Sequence, residues 1–242
     1  MNNWRKAFEI TKLELHQSIY NILLAYLVTG LFIAMFVTQM PTYLDEGTAL
    51  YDLLFLLVFG SSPLFPKLKS FETQHIAHQF IASPIVVMQN HLAIPHDTIV
   101  KSRLIIHGCY TFPAHLLGLI ILYFFTPLVD MLSVGSFIAF STIWLSLSIF
   151  IGYLVPRLSI GVRGFWVSNS GISIILLVCC MLLFLLIAMV HSFSSHGIVY
   201  WSIVFAKDLP ILATCISIII AILGYVLWIT KMKKVLRKLN YS

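Results

Sequence analysis

Six apolar segments with lysine and arginine crowded on one side of them constrain this chain more than any other feature. Following the chain from loop to loop puts Arg5, Lys6, Lys12, Lys67, Lys69, Lys101, Arg103, Arg157, Arg163, Lys231, Lys233, Lys234, Arg237 and Lys238 on one side. Only Lys207 falls on the other, a split of 14 to 1. Cationic loops are held in the cytoplasm as a membrane protein inserts. The split therefore predicts an all-α, polytopic membrane protein with both termini inside. Composition agrees: 60% of the 242 residues are hydrophobic and 10% charged, where a soluble domain carries roughly a quarter charged. Little chain is left for a separate soluble domain. The net charge of +6 belongs to the cytoplasmic edge, where anionic lipid head groups attract cations, and is no sign of nucleic-acid binding.

A span needs about 20 apolar residues. Segments of that kind run near Ile19–Val37, Ala49–Phe65, Leu104–Phe125, Met131–Val155, Phe165–Val190 and Leu209–Thr230. Residues 3–17 are too polar to cross. Trp4, Phe8 and Leu15 fall on or near one helical side, with Ile10 and Leu13 less regularly placed, and Lys6, Glu9, Lys12 and Glu14 elsewhere. The segment reads as an amphipathic helix in the membrane interface, as others of this pattern are. It does not read as a cleavable signal, because a long mixed-charge stretch precedes the first span and no small-residue cleavage pattern follows. The resulting division is 1–18 interfacial helix, 19–66 spans one and two, 67–103 a cytoplasmic loop, 104–230 spans three to six and 231–242 a basic tail. The outer loops carry Asp45, Glu46, Pro127 and Asp130, and the last, from His191 to Asp208, carries Tyr200 and Trp201, which suit the head-group layer.

The loop Lys67–Arg103 has an apolar pattern of its own. Phe71, His75, His78 and Ala82 recur at helical spacing beside a second stripe of Ile76, Phe80 and Ile81, so a helix is expected over Phe71–Ala82. Pro84 ends it, and Pro95 opens another helix that runs through Ile99 and Lys101 into the third span. The remaining loop on this side, Pro156–Gly164, is short and holds Arg157 and Arg163.

Most catalytic motifs are missing. No phosphate-binding G-x-x-x-x-G-K-[ST] occurs, nor G-x-S-x-G or H-E-x-x-H. The four cysteines, Cys109, Cys179, Cys180 and Cys215, lie in spans with no C-x-x-C and read as small apolar fillers, not as disulfide or zinc ligands. His75 with His78 and His91 with His96 have spacings a metal tolerates, but zinc needs further ligands. His107 and His115 share one helix, whereas two axial ligands to one haem face each other across it. Asp52 is the one acidic residue placed within a span, near its outer end. The polar groups Ser168, Asn169 and Ser170, and Ser141, Thr142, Ser146 and Ser148, fit interhelical hydrogen bonds or a substrate path. Ala114-x-x-x-Gly118 and Gly135-x-x-x-Ala139 permit close helix approach. No internal repeat of a transporter core is present.

The arrangement resembles the permease subunits of bacterial ABC-2-type exporters. The likeness rests on an interfacial N-terminal helix, six spans, both ends inside, and the longest cytoplasmic loop between spans two and three. Within that loop, Glu72 leads "SFETQHIAHQFIASP", broken at Ala82, Ser83 and Pro84, and "IPHDTIVKSRLI" follows around Pro95, Thr98, Ile99, Val100 and Lys101. The chain departs from the family in its many loop histidines and in His96–Asp97, where a basic patch is usual. The resemblance implies a protein of the bacterial plasma membrane that holds no cofactor itself. A separate ATPase subunit would bind ATP and magnesium, and a second permease chain, identical or related, would complete the path. It implies a coupling helix around Phe71–Ala82, with Phe71, Glu72, His75, His78, Gln79 and Phe80 as ATPase contacts, and Arg157 and Arg163 in a smaller second contact. Asp52, His115, Ser146, Asn169 and Ser170 are the candidates for lining a cargo path. With so few charges in the membrane, the cargo would be amphipathic or lipid-like, and the closest analogy is to exporters of phenol-soluble modulins and antimicrobial peptides. Two other readings stay open: a membrane sensor or assembly protein, and an enzyme of lipid or peptide processing built on His107, His115, Ser170 and Asp52.

Overall fold

A computed structural model describes residues 3–60, 71–77, 79–194 and 196–238, apart from the side chains of residues 77 and 166. It is predominantly helical. Helix α1 (Asn3–Gln17) is separated only by Ser18 from α2 (Ile19–Glu46). Gly47 ends α2 in the left-handed conformation, at φ 66°, and returns its N–H to the Tyr43 carbonyl, as a glycine after a helix does. Next come α3 (Ala49–Phe55), which widens into a π turn at Leu56–Gly60, two strands β1 (Gln74–Ala77) and β2 (Phe80–Ala82), and α4 (Pro84–His91). The rest is α5 (His96–Phe125), the short α6 (Leu128–Met131), α7 (Val134–Gly152), α8 (Leu154–Ile160), β3 (Val162–Arg163), α9 (Asn169–Phe193), α10 (Ile198–Asp208) and α11 (Pro210–Lys238). Serines cap two of these helices: Ser133 accepts from the Ser136 N–H at α7, and Ser168 from the Gly171 N–H at α9.

Among the described residues, five helical stretches are long and apolar enough to cross a membrane: α2, α5, α7 with α8, α9 and α11. They make the chain a polytopic helical membrane protein. The second expected span enters as α3 and its π turn, an apolar helix from Ala49 to Gly60. That covers at most about 18 Å at 1.5 Å per residue, and residues 61–70 lie outside the described ones.

Three buried clusters hold the bundle. The largest joins α2, α3, α5, α7 and α10 through Phe36, Phe55, Phe59, Leu122, Trp144 and Ile203. A second joins α4, α5, α8 and α11 through Val86, Ile99, Ile160, Met232 and Leu236, and a third joins α2 to α5. Helices α7 and α11 approach most closely at Gly224, where an added Cβ would stand 2.9 Å from Phe150 Cα. Trp228 Nε1 donates to the Phe150 carbonyl beside it, at 2.7 Å. Helix α9 is the opposite case: only Gly171 and Ile187 are buried on it.

One expectation needs correction. Where a helix was expected over Phe71–Ala82, strands β1 and β2 pair antiparallel, with Gln74 opposite Ala82, His75 opposite Ile81 and an irregularity before Ala77 opposite Phe80. The residue before a proline can end a strand as readily as a helix, and a short apolar run does not settle its own period. β2 pairs on its other edge with β3, about eighty residues away. The buried side of α1 is Ala7, Thr11 and Glu14, packed toward α5, while Trp4 and Phe8 face outward. The last outer loop is largely the helix α10, with Val199, Ile203 and Ala206 buried. The basic tail, too, is a helical continuation of α11 as far as Lys238.

Candidate functional site

Strand β3 pairs with β2, Phe80 opposite Arg163 and Ile81 opposite Val162, so two loops far apart in sequence form one three-stranded sheet. The seam is extended by Ser83 N–H to the Ser159 carbonyl at 2.8 Å and Gly164 N–H to the Gln79 carbonyl at 2.9 Å. Gly161 and Gly164, at φ 130° and 125°, turn the chain into and out of β3, conformations that glycine adopts without a steric cost. Arg157 Nη1 donates to the Gly161 carbonyl at 3.1 Å and holds the first turn. The Arg163 guanidinium lies over the Phe80 ring, 5.5 Å from its centre.

The sheet sorts the expected contact residues into two sets. Glu72, His75, Gln79 and Arg163 are exposed. Phe71 and Phe80 are buried, and the Phe71 carbonyl accepts from Ser83 Oγ at 3.0 Å. These two aromatic side chains support the surface; they are not on it. Arg157 is half-buried in its turn, and His78 lies outside the described residues. Strand β2 packs against α8, and α8 shares a buried cluster with α4, α5 and α11, so a load on the sheet reaches the two long helices α5 and α11 through α8.

Two charge clusters brace this end. Arg103 on α5 grips Glu14 on α1 with both ends of its guanidinium, Nη1 to Oε1 at 3.2 Å and Nη2 to Oε2 at 2.5 Å. Both side chains are nearly fully buried, 4% and 5% exposed. Asp97 receives Lys101 Nζ and Lys233 Nζ, each at 2.6 Å, and Asn3 Nδ2 at 3.2 Å. Asp97 stands on the first turn of α5, ahead of Leu104 where the apolar run begins. Its hydrogen bonds from Lys101 and then Lys233 hold its carboxyl down at about 2, below the ordinary carboxylate range. The starts of α1 and α5 and the last turns of α11 are thereby tied to one point, which puts both described chain ends at the same end of the bundle.

At the far end, Asp52 is fully buried, not within reach of outer water as its place near a helix end implied. Its Oδ1 accepts from Tyr43 Oη and from the Val199 N–H, both at 2.8 Å, and its Oδ2 lies 2.9 Å from His191 Nε2. Tyr43 Oη in turn accepts from the Tyr200 N–H at 3.0 Å. The N-cap of α10 is Gly197, which has no side chain to offer, so Asp52 and Tyr43 satisfy the first-turn donors instead. A carboxylate at a helix N-terminus is also favoured by the helix dipole. A Cβ at Gly197 would occupy the space of the carboxylate. The cluster ties α2, α3, α9 and α10 together.

The other cargo-path candidates do not meet Asp52. His115 is fully buried with Nδ1 3.1 Å from Ser148 Oγ, and Ser146 is buried in α7. Asn169 and Ser170 are exposed at the start of α9, while His191, which touches Asp52, is near its end. That separation is about 33 Å along the helix. The groove of about 310 Å³ between α2 and α5, lined by Tyr26, Gly30, Ile33, Ala114 and Gly118 among others, takes in none of the five. Among the described residues no three His, Cys, Asp or Glu side chains group as metal ligands. Cys179, Cys180 and Cys215 are exposed on membrane helices and are not the buried fillers expected, and Cys109 is half-buried. The sequence reading missed the Glu14–Arg103 pair, the Asp97 hub and His191.

These features define a class: a helical membrane protein whose two basic-side loops, as far as they are described, unite into one small sheet. Compared with known protein families, curated proteins and solved structures, the chain has no match.

Proposed function

We propose that this chain is the membrane-spanning permease subunit of an ATP-driven exporter in a bacterial plasma membrane, with six spans and both termini cytoplasmic. A partner ATPase would bind ATP and magnesium, and a second permease chain would complete the path. One observation carries the reading: a chain with no phosphate-binding motif of its own joins both basic-side loops into a sheet packed on α8, which shares a buried cluster with α5 and α11. A permease without nucleotide chemistry has to receive work through contact, and a rigid surface packed on several helices passes on a rigid-body shift. Glu72, His75, Gln79 and Arg163 are the exposed contact residues, and Phe71 and Phe80 keep the sheet in place. The absence of charge from most of α7, α9 and α11 favours an amphipathic or hydrophobic cargo, with a peptide toxin or antimicrobial peptide as the leading class.

The test is a mild-detergent pull-down of the tagged chain, with mass spectrometry of what comes down and an ATPase assay of the complex. A stoichiometric nucleotide-binding partner is expected, and Glu72→Lys with Arg163→Glu should reduce its recovery while the permease stays folded. A chain recovered alone and without ATPase activity across several detergents would refute the proposal.

A further inference from the structure

We propose that the corner built by α1 and the last turns of α11 is a binding surface for anionic phospholipid. The two helices are at opposite ends of the sequence, and the Asp97 hub brings them together through Asn3 and Lys233. Lys101, which also holds Asp97, lies over the Trp4 ring, 4.7 Å from its centre. The hub pairs both Lys101 and Lys233 with the single carboxylate of Asp97 and so keeps one net positive charge itself. Outside it, Lys12 on α1 and Lys231, Lys234 and Arg237 on α11 are exposed, with Lys6 half-exposed beside them.

Helix α1 also exposes apolar side chains on both sides of its buried face. Trp4, Phe8 and Leu13 are exposed at 43%, 59% and 62%. An acidic protein or a nucleic acid would match the charge and leave these side chains in water. A bilayer interface matches both, taking the apolar side chains at the acyl boundary and the ammonium groups among phosphates. Position agrees. Only Ser18 separates α1 from α2, whose lipid-type residues begin at once with Ile19 and Tyr20, both exposed. On α11, Lys231 directly follows the apolar run that ends at Thr230. The cations therefore lie within a few turns of the bilayer, where each one near an anionic surface adds to binding. The hub holds the corner in one geometry, so a lipid head group meets a prearranged cluster and not two loose tails.

The experiment places the full-length chain in nanodiscs of phosphatidylcholine with and without phosphatidylglycerol. It reads the lipids retained by native mass spectrometry, and thermal unfolding alongside. In about 0.1 M salt, phosphatidylglycerol should be retained at least tenfold over phosphatidylcholine, and the preference should collapse in about 1 M salt, where the screening length is about 3 Å. The triple variant Lys6→Gln, Lys234→Gln, Arg237→Gln should lose the preference by roughly tenfold or more and unfold as wild type does in pure phosphatidylcholine. Lys207→Gln at the far end should keep it. If the triple variant does not fold, Lys6→Gln with Lys12→Gln decides on α1 alone. Equal retention of the two lipids by wild type, an undiminished preference in the charge-neutralised variants, or an equal loss in Lys207→Gln would overturn the proposal.

Discussion

The buried pair Glu14–Arg103 makes a quantitative prediction, because it predicts opposite outcomes for breaking it and for removing it. The pair is bidentate, spans α1 and α5, and is almost fully out of solvent. Arg103 Nε is buried and meets no acceptor among the described residues, so the desolvation of the guanidinium is only partly offset. Replacing one partner strands the other charge. Arg103→Met leaves a buried carboxylate, and Glu14→Leu leaves a buried guanidinium, with an expected loss of about 3–5 kcal/mol for an unpaired charge. Replacing both with apolar residues of similar volume, as in Glu14→Leu with Arg103→Met, removes attraction and desolvation together. Such exchanges are often neutral or stabilising by about 1–4 kcal/mol. The double variant should therefore be far more stable than the sum of the singles. The assay is unfolding of the full chain in mixed micelles titrated with sodium dodecyl sulfate, followed by circular dichroism, for all four corners of the cycle. Singles that each cost less than about 1 kcal/mol, the scale of an exposed pair, would refute the burial argument. A double variant as unstable as the summed singles would refute the account of desolvation.

The remaining predictions use the same unfolding assay. Gly224→Ala drives its methyl against the backbone of Phe150 and should cost about 1–3 kcal/mol as overpacking, while Gly118→Ala meets only the mobile end of Ile33 and should cost less; equal losses would mean that the two contacts give way equally. Asp52→Ala strands the Val199 N–H and the Tyr43 hydroxyl at about 1–3 kcal/mol each, Gly197→Ala should displace the carboxylate and reproduce most of that loss, and Asp52→Asn should be milder because its amide oxygen still accepts both bonds. For Asp97, whose carboxyl is held down at about 2 by Lys101 and Lys233, the contribution is complete above the unfolded carboxylate value of about 3.9 and lost as pH falls toward 2. Wild type should thus lose stability between about pH 4 and pH 2, and Asp97→Asn should lack that step.

The long helices were legible because each stands alone as a run of apolar residues: α7 and α9 match the expected spans to within four residues at both ends, while α2, α5 and α11 match at one end and run eight or nine residues further at the other. The extension of α5 back to His96 was legible too, since Pro95 suits the position just before a helix and Ile99, Lys101 and Arg103 continue without a break. The hairpin was not. In "QHIAHQFIA" the spacings Phe71–His75 and His78–Ala82 satisfy a helical period, while Thr73, His75, Ile76, Phe80 and Ile81 would pair equally well in strands. In the fold β1 pairs with β2, and β2 pairs also with Val162 and Arg163, held between Gly161 and Gly164. A period read along one segment carries no information about a strand supplied by another.

The polar side chains were harder still, and for a related reason. In a membrane protein a charged residue is conspicuous, but its partner is set by helix contacts and not by spacing. Glu14 looked like the polar face of an interfacial helix, and Arg103 like a cytoplasmic cation. Together they form a buried clamp. Asp52 looked like a helix-end carboxylate in reach of water. It is instead buried beneath Gly197, which as a glycine N-cap leaves its helix without a side-chain acceptor. The sequence did contain a clue in that case: a lone acid in an apolar helix, and a later helix that opens on glycine with unsatisfied N–H groups. Each is costly alone, and a fold that buries both must bring them together.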